Sequence, residues 1–221
     1  MSGMHISTGS LPTRLTLLIV GLFLYGFSMA MMIAGGLGLN PWDVLHQGLA
    51  HRTGASFGTI TACVGAVVLL LWVPLRQRPG VGTVANIVVI AVSVDLASAW
   101  LPDDASLPVR SALLIGGVVI NAAATAMYIS AGMGPGPRDG LMTGIVGRTG
   151  WSVRVIRTGI EVSVLAVGWL LGGTVGVGTV LYALAIGPLV QLSVWLMGRP
   201  ARSIQSEVGS IPAASTPTDT P

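Results

Sequence analysis

Six apolar runs follow one another along the chain, separated by short polar segments: Leu15 to Gly36, Phe57 to Leu75, Thr83 to Leu101, Ser111 to Ala131, Val153 to Leu171 and Thr179 to Met197. Each approaches the roughly 20 residues that an α-helix needs to cross the hydrocarbon core of a bilayer. The fifth carries polar residues in its first half. A shorter segment lies between the first and second runs, Pro41 to Thr53, and another between the fourth and fifth, Pro137 to Thr149. As a helix each would measure about 20 Å, too short for about 30 Å of hydrocarbon. Each short segment is therefore either a re-entrant half-helix or a helix lying at the interface. Trp72, Trp100 and Trp195 stand near run ends, where an aromatic belt would place them.

Composition turns these runs from core helices into membrane spans. Of the 221 residues 52% are hydrophobic and 9% charged, and the mean hydropathy is +0.80. A soluble domain carries about 25% charged residues, so lipid must cover much of this surface. The net charge is +3 and every basic residue is arginine. Without aromatic–basic interleaving, this excess reads as basic cytoplasmic loops and not as a nucleic-acid surface. The single cysteine, Cys63, lies inside an apolar run and reads as a small buried residue with no disulfide or metal role.

The chain also repeats itself. At an offset of 96 residues Gly38 falls on Gly134, Pro41 on Pro137, Asp43 on Asp139, Gly48 on Gly144 and Ser56 on Ser152. Arg52-Thr53-Gly54 falls on Arg148-Thr149-Gly150, and Gly80-Val81-Gly82-Thr83-Val84 on Gly176-Val177-Gly178-Thr179-Val180. The repeated run one, deep in the chain, argues against a cleaved signal peptide after Arg14. The organisation that follows is an N-terminal tail (1–13), repeat 1 (14–101), an outer loop (102–110), repeat 2 (111–198) and a disordered cytoplasmic tail (199–221).

With three spans per unit the second copy enters the membrane upside down. Six spans place Arg14, Arg76, Arg78, Arg138, Arg148, Arg154, Arg199 and Arg202 on the cytoplasmic side, with both termini. Eight spans would move Arg76, Arg78 and Arg138 outside. The expected fold is an all-α integral membrane protein with about six transmembrane helices, built as two inverted three-helix repeats, each with its short helix. Inverted repeats with broken helices are a transporter architecture.

Much of the repeated motif reads as punctuation. Asn40 caps, Pro41 and Pro137 fit a first helical position, and Asp43 and Asp139 complement the helix dipole. Gly54 and Gly150 stop the short helices; Ser56 and Ser152 cap the second span of each unit, Thr83 and Thr179 the third. The same residues can also bind. Half-helix N-termini inside a membrane hold ligands, and acids at that depth usually function. The candidate binding residues are Asp43, Asp139, Asp95, Arg157, Glu161, Asn86, Arg138 and Trp42. Asp95 sits in Val92-Ser93-Val94-Asp95-Leu96, opposite Gln191 in the repeat. Arg157 and Glu161 form an i, i+4 pair whose counterparts are Thr61 and Gly65. His46 reads as a polar helix-face residue.

The strings GLGLNPWDVLHQGLAHRTGASFG and PGVGTVANIVV resemble the bacterial YczE-like membrane proteins, related in pattern to the YitT family, over residues 14 to 198. The resemblance implies a multi-span membrane protein and carries over no catalytic residue. No Walker loop, Cys/His cluster or nucleophilic constellation is present, so neither a cofactor nor an enzyme is expected. The reading is a secondary transporter or exporter of a small solute or ion in the bacterial inner membrane, driven by an ion gradient or passive. Its partners are the lipid bilayer and that solute, and a homo-oligomer is compatible with the chain. The rival is a non-transport accessory or regulatory membrane protein.

Overall fold

A computed structural model describes residues 10–102 and 104–197. The tail assigned to 199–221 lies outside the described residues. Eight helices are present among them and no strand: α1 (Leu11–Gly35), α2 (Pro41–Thr53), α3 (Phe57–Leu75), α4 (Val81–Ser98), α5 (Leu107–Ser130), α6 (Pro137–Thr149), α7 (Val153–Leu170) and α8 (Val177–Leu196). Five of them, α1, α3, α4, α5 and α8, are long and apolar enough to cross a membrane. Helix α7 matches α4 in length but carries Arg154, Arg157 and Glu161. Helices α1 and α5 begin a turn earlier than the apolar runs, because Arg14 and Arg110 interrupt the hydrophobic pattern without interrupting the helix.

The local signals act as the residue types dictate. Asn40 Oδ1 accepts the Asp43 amide at 3.0 Å, and Ser56 accepts that of Thr59. Gly54 and Gly150 take left-handed φ values of 73° and 69°, which glycine adopts without a Cβ penalty. Thr83 and Thr179 differ from expectation. The caps are Gly80 and Gly176, and each threonine sits three residues in, its hydroxyl accepting the cap amide. Glycine holds the cap because another backbone lies against it: a Cβ would stand 2.6 Å from Met133 O at Gly80 and 2.5 Å from Leu37 O at Gly176.

Helices α1 and α5 pack on each other at the centre, α4 covers α1, and α8 covers α5. Each short helix lies on the other unit's long helix, α2 on α7 and α6 on α3. Two arginines 96 residues apart tie the units reciprocally. Arg14 donates to the carbonyls of Ala131 and Gly132, while Arg110 donates to those of Gly35 and Gly36. A guanidinium at a helix C-terminus meets both orphan carbonyls and the negative dipole end.

The α6–α3 and α2–α7 contacts solve one packing problem in opposite ways. Gly140 leaves room for Trp72, whose ring lies 2.0 Å from where a Cβ would stand. At the equivalent contact the bulk is on the short helix: Val44 stands where Gly140 does, and Gly168 stands where Trp72 does. A Cβ on Gly168 would meet the Leu45 amide at 2.4 Å. Trp72 is thus not an interfacial belt residue. It is 1% exposed, and its indole donates to Pro137 O at 3.0 Å. Trp100 and Trp195 are exposed, at 88% and 68%. Cys63 is exposed too, against the expectation of burial, because α3 turns that face toward an open groove.

Candidate functional site

The short helices enter the protein N-terminus first. Their C-terminal turns are exposed, whereas Trp42, Asp43 and Val44 of α2 and Pro137, Gly140 and Leu141 of α6 are buried. The two N-terminal turns meet. Arg138 reaches from α6 to lie 4.9 Å above the Trp42 ring, a cation–π distance, and 3.6 Å from Asp43 Oδ1. Two short helices brought together at their positive ends need negative charge nearby. Asp43 and Asp139 supply it, one in each first turn.

Asp43 is wholly buried. Its Oδ2 accepts Asn40 Nδ2 at 2.5 Å. Its Oδ1 has no hydrogen bond and faces Arg138 and His46 Nδ1, each at 3.6 Å. His46 is 1% exposed, with Nδ1 3.3 Å from Thr61 Oγ1 and its ring edge-on to Phe57. Asp139 Oδ2 accepts the Tyr128 hydroxyl at 3.3 Å, and Tyr128 packs edge-to-face on Tyr25. Among the described residues the Arg138 guanidinium makes no hydrogen bond, only the Asp43 and Trp42 contacts. Its side chain is 28% exposed.

These groups surround a cavity of about 100 Å³ lined by Trp42 and His46 from α2, by Pro137, Arg138 and Asp139 from α6, and by Tyr25, Thr61, Gly65, Asn86 and Tyr128 from the long helices. One cation, one acid, an amide, an imidazole, a threonine hydroxyl, two phenols and an indole face it. Such a lining orients a small polar ligand through charge-assisted hydrogen bonds and aromatic contact.

The structure brings five of the eight candidate residues together. Trp42, Asn86, Arg138 and Asp139 line the cavity, and Asp43 braces Arg138 from behind. Asp95 lies elsewhere. It holds the N-terminus of α3, accepting the Ser56 hydroxyl at 2.6 Å and the Gly58 amide at 2.7 Å. Arg157 and Glu161 also stay out of the cavity. They pair at 2.9 Å on the surface of α7, with side chains 60% and 38% exposed. Arg157 remains within electrostatic range of Asp139 and Tyr182. The pattern reading missed His46, Thr61, Tyr25 and Tyr128. Of these, only His46 carried a local signal, its i, i+3 spacing from Asp43.

The fold and site define an all-α membrane protein with a polar cavity at the junction of two short helices. The chain belongs to the family described as "Family of unknown function (DUF6198)", which matches residues 12–194. It is 38% identical over 185 residues to an "Uncharacterized protein" of Haemophilus influenzae, covering 84% of this chain and 85% of that one. It is 34% identical over 185 residues to the "Uncharacterized membrane protein YczE" of Bacillus subtilis, covering 83% and 86%. These relatives agree with the resemblance drawn from the motifs. No solved structure matches the chain.

Proposed function

We propose that the protein is a secondary transporter of a small solute, with its binding site in the cavity between the α2 and α6 N-termini. One observation carries this reading: the N-termini of the short helices α2 and α6 converge on one polar cavity at Trp42, Arg138 and Asp139. Transporters with inverted repeats place their sites at such discontinuous helices. The six-span inverted topology, the bacterial inner membrane and cytoplasmic termini belong to the same proposal.

The seams beside the cavity supply the gates. Helix α3 packs closely on α4, and Asp95 of α4 fastens the α3 N-terminus. The equivalent helices α7 and α8 scarcely touch. In the inverted topology the first seam closes the outer face and the second opens to the cytoplasm. Exchange of the two arrangements would expose the cavity to either side in turn.

The test is cysteine accessibility in membrane vesicles. In a Cys63→Ala background Asn86→Cys is exposed to an impermeant methanethiosulfonate reagent from either membrane face. Modification from both faces is expected, with cytoplasmic access lost when α7 and α8 are joined by a disulfide between Val155→Cys and Leu192→Cys. A cavity sealed from both faces would remove the transport reading and leave the accessory-protein one.

A further inference from the structure

A second and larger space adjoins the polar cavity. It is an apolar groove of about 830 Å³ between α3 and α7, floored by the short helices and open at the protein surface. Trp42, Val64 and Val68 line both spaces. Trp42 is the partition, carrying Arg138 over its ring while its side chain also borders the groove. The groove wall is almost wholly hydrocarbon, and Cys63 and Ser163 are its only heteroatom-bearing aliphatic side chains. A hydrated small solute gains nothing from such a wall.

The two spaces together are amphipathic in the way an amphiphile is. The cavity presents one cation, Arg138, which Asp43 braces at 3.6 Å and which makes no hydrogen bond within the described residues, and one anion, Asp139. Beyond the partition lies room for an alkyl chain. We infer that the transported solute is an amphiphile with a zwitterionic head and an alkyl tail, taken laterally from the bilayer. Its anionic group meets Arg138, its ammonium group meets Asp139 among the Tyr25 and Tyr128 rings, and its tail fills the α3–α7 groove. The inference rests on the transport reading for its direction of use, but the binding site it describes stands or falls separately. Neutralising two opposite charges at once matches the lining better than a purely anionic or cationic head, either of which would face a like charge at hydrogen-bonding range.

Cys63 makes the site measurable, since it is the only cysteine in the chain and borders the groove. The full-length protein in nanodiscs is treated with N-ethylmaleimide, and the modification rate of Cys63 is followed. Four probes are added: lauroyl lysophosphatidylethanolamine, dodecyl phosphate, dodecyltrimethylammonium and free phosphoethanolamine. The lysolipid is expected to slow modification at least fivefold and saturably, and the single-charge alkyl probes to need about tenfold higher concentration, equivalent to about 1.4 kcal/mol. Phosphoethanolamine alone should leave Cys63 reactive. Arg138→Gln should shift preference toward dodecyltrimethylammonium, and Asp139→Asn toward dodecyl phosphate. Gly159→Trp should abolish lysolipid protection by filling the groove, at a position where an added Cβ meets nothing within 4 Å, with an unchanged unfolding temperature in detergent as the check that the fold is kept.

Equal protection by all three alkyl probes would reduce the groove to a lipid-coated wall and overturn the inference. So would protection by phosphoethanolamine alone, or concentration-dependent protection without any probe, which would mark a second copy of the chain in the groove. Lysolipid protection with a cavity sealed from both faces would keep this site and remove transport. Two-sided access without lysolipid protection would do the reverse.

Discussion

The α3–α4 and α7–α8 seams lie 96 residues apart in matching stretches of sequence yet behave as opposites. In the first, Gly58 lets α3 approach until a Cβ there would stand 2.1 Å from Ala91 O, and Asp95 closes the contact with two hydrogen bonds. In the second, Arg154 stands at the position of Gly58 and Gln191 at that of Asp95. A long cation replaces the absent side chain, and the exposed Gln191 fastens nothing among the contacts described. The two matching stretches therefore part company at the helix contacts. The caps and glycine straps that build the halves are shared, and the residues that decide whether neighbouring helices touch are not.

Exchanging residues between the halves tests this contrast. The largest effect is expected at the short-helix contacts. Trp72→Gly should cost about 4 kcal/mol, in the range for deleting a buried aromatic, read as a fall in unfolding temperature in detergent. Adding Gly140→Val rebuilds the α2–α7 solution on α6–α3 and should recover about 1–2 kcal/mol, a coupling typical of touching residues. Strict additivity would break the equivalence of the two contacts. Next comes Gly58→Arg, which imports the open seam's residue. It should destabilise by about 3 kcal/mol, the upper part of the overpacking range, and lengthen the distance between spin labels placed at Thr59 and Leu96 on the two helices. A stable variant with α3 still packed on α4 would show that the glycine is not what closes this seam.

Asp95→Asn retains the shape but loses the anion. With two acceptor contacts weakened, stability should fall by about 1–2 kcal/mol. The smallest effect is assigned to Glu161→Gln. If the α7–α8 seam is wet, this half-exposed pair behaves like other solvated ion pairs, and stability should change by less than about 0.5 kcal/mol. A loss several times larger would mean that the seam holds lipid, and the contrast between seams would need another explanation.

Helix positions were legible in the sequence because membrane spans announce themselves by length and composition, and the 96-residue offset located both short helices to the residue. The Asn40, Ser56, Gly54 and Gly150 signals were equally readable, since a cap depends only on its neighbours in sequence. What was not readable depends on contacts between units. Trp72 reads as a belt residue until Gly140 is placed beneath it. Cys63 reads as buried until the α3–α7 groove appears. Asp95 reads as a binding acid, yet its partners are a serine and an amide nearly forty positions away. Arg14 and Arg110 read as loop charges, and only the packed structure turns them into caps on each other's unit. The cavity was legible in the half that the short helices contribute. Tyr25 lies midway along α1 and Tyr128 in the last turn of α5, positions that look like those of any other apolar-helix aromatic.

The exchange of seams is the claim on which the account turns, and paired spin labels measure it directly. In a Cys63→Ala background one pair is placed at Thr59 and Leu96 and another at the equivalent Val155 and Leu192, all exposed. Distances are read by pulsed electron resonance in nanodiscs, with and without Asp95→Asn. A short distance is expected across α3–α4 and a long one across α7–α8, with Asp95→Asn adding a second population in which the two are reversed. Seams that widen together, or an α7–α8 distance indifferent to the state of α3–α4, would contradict that exchange.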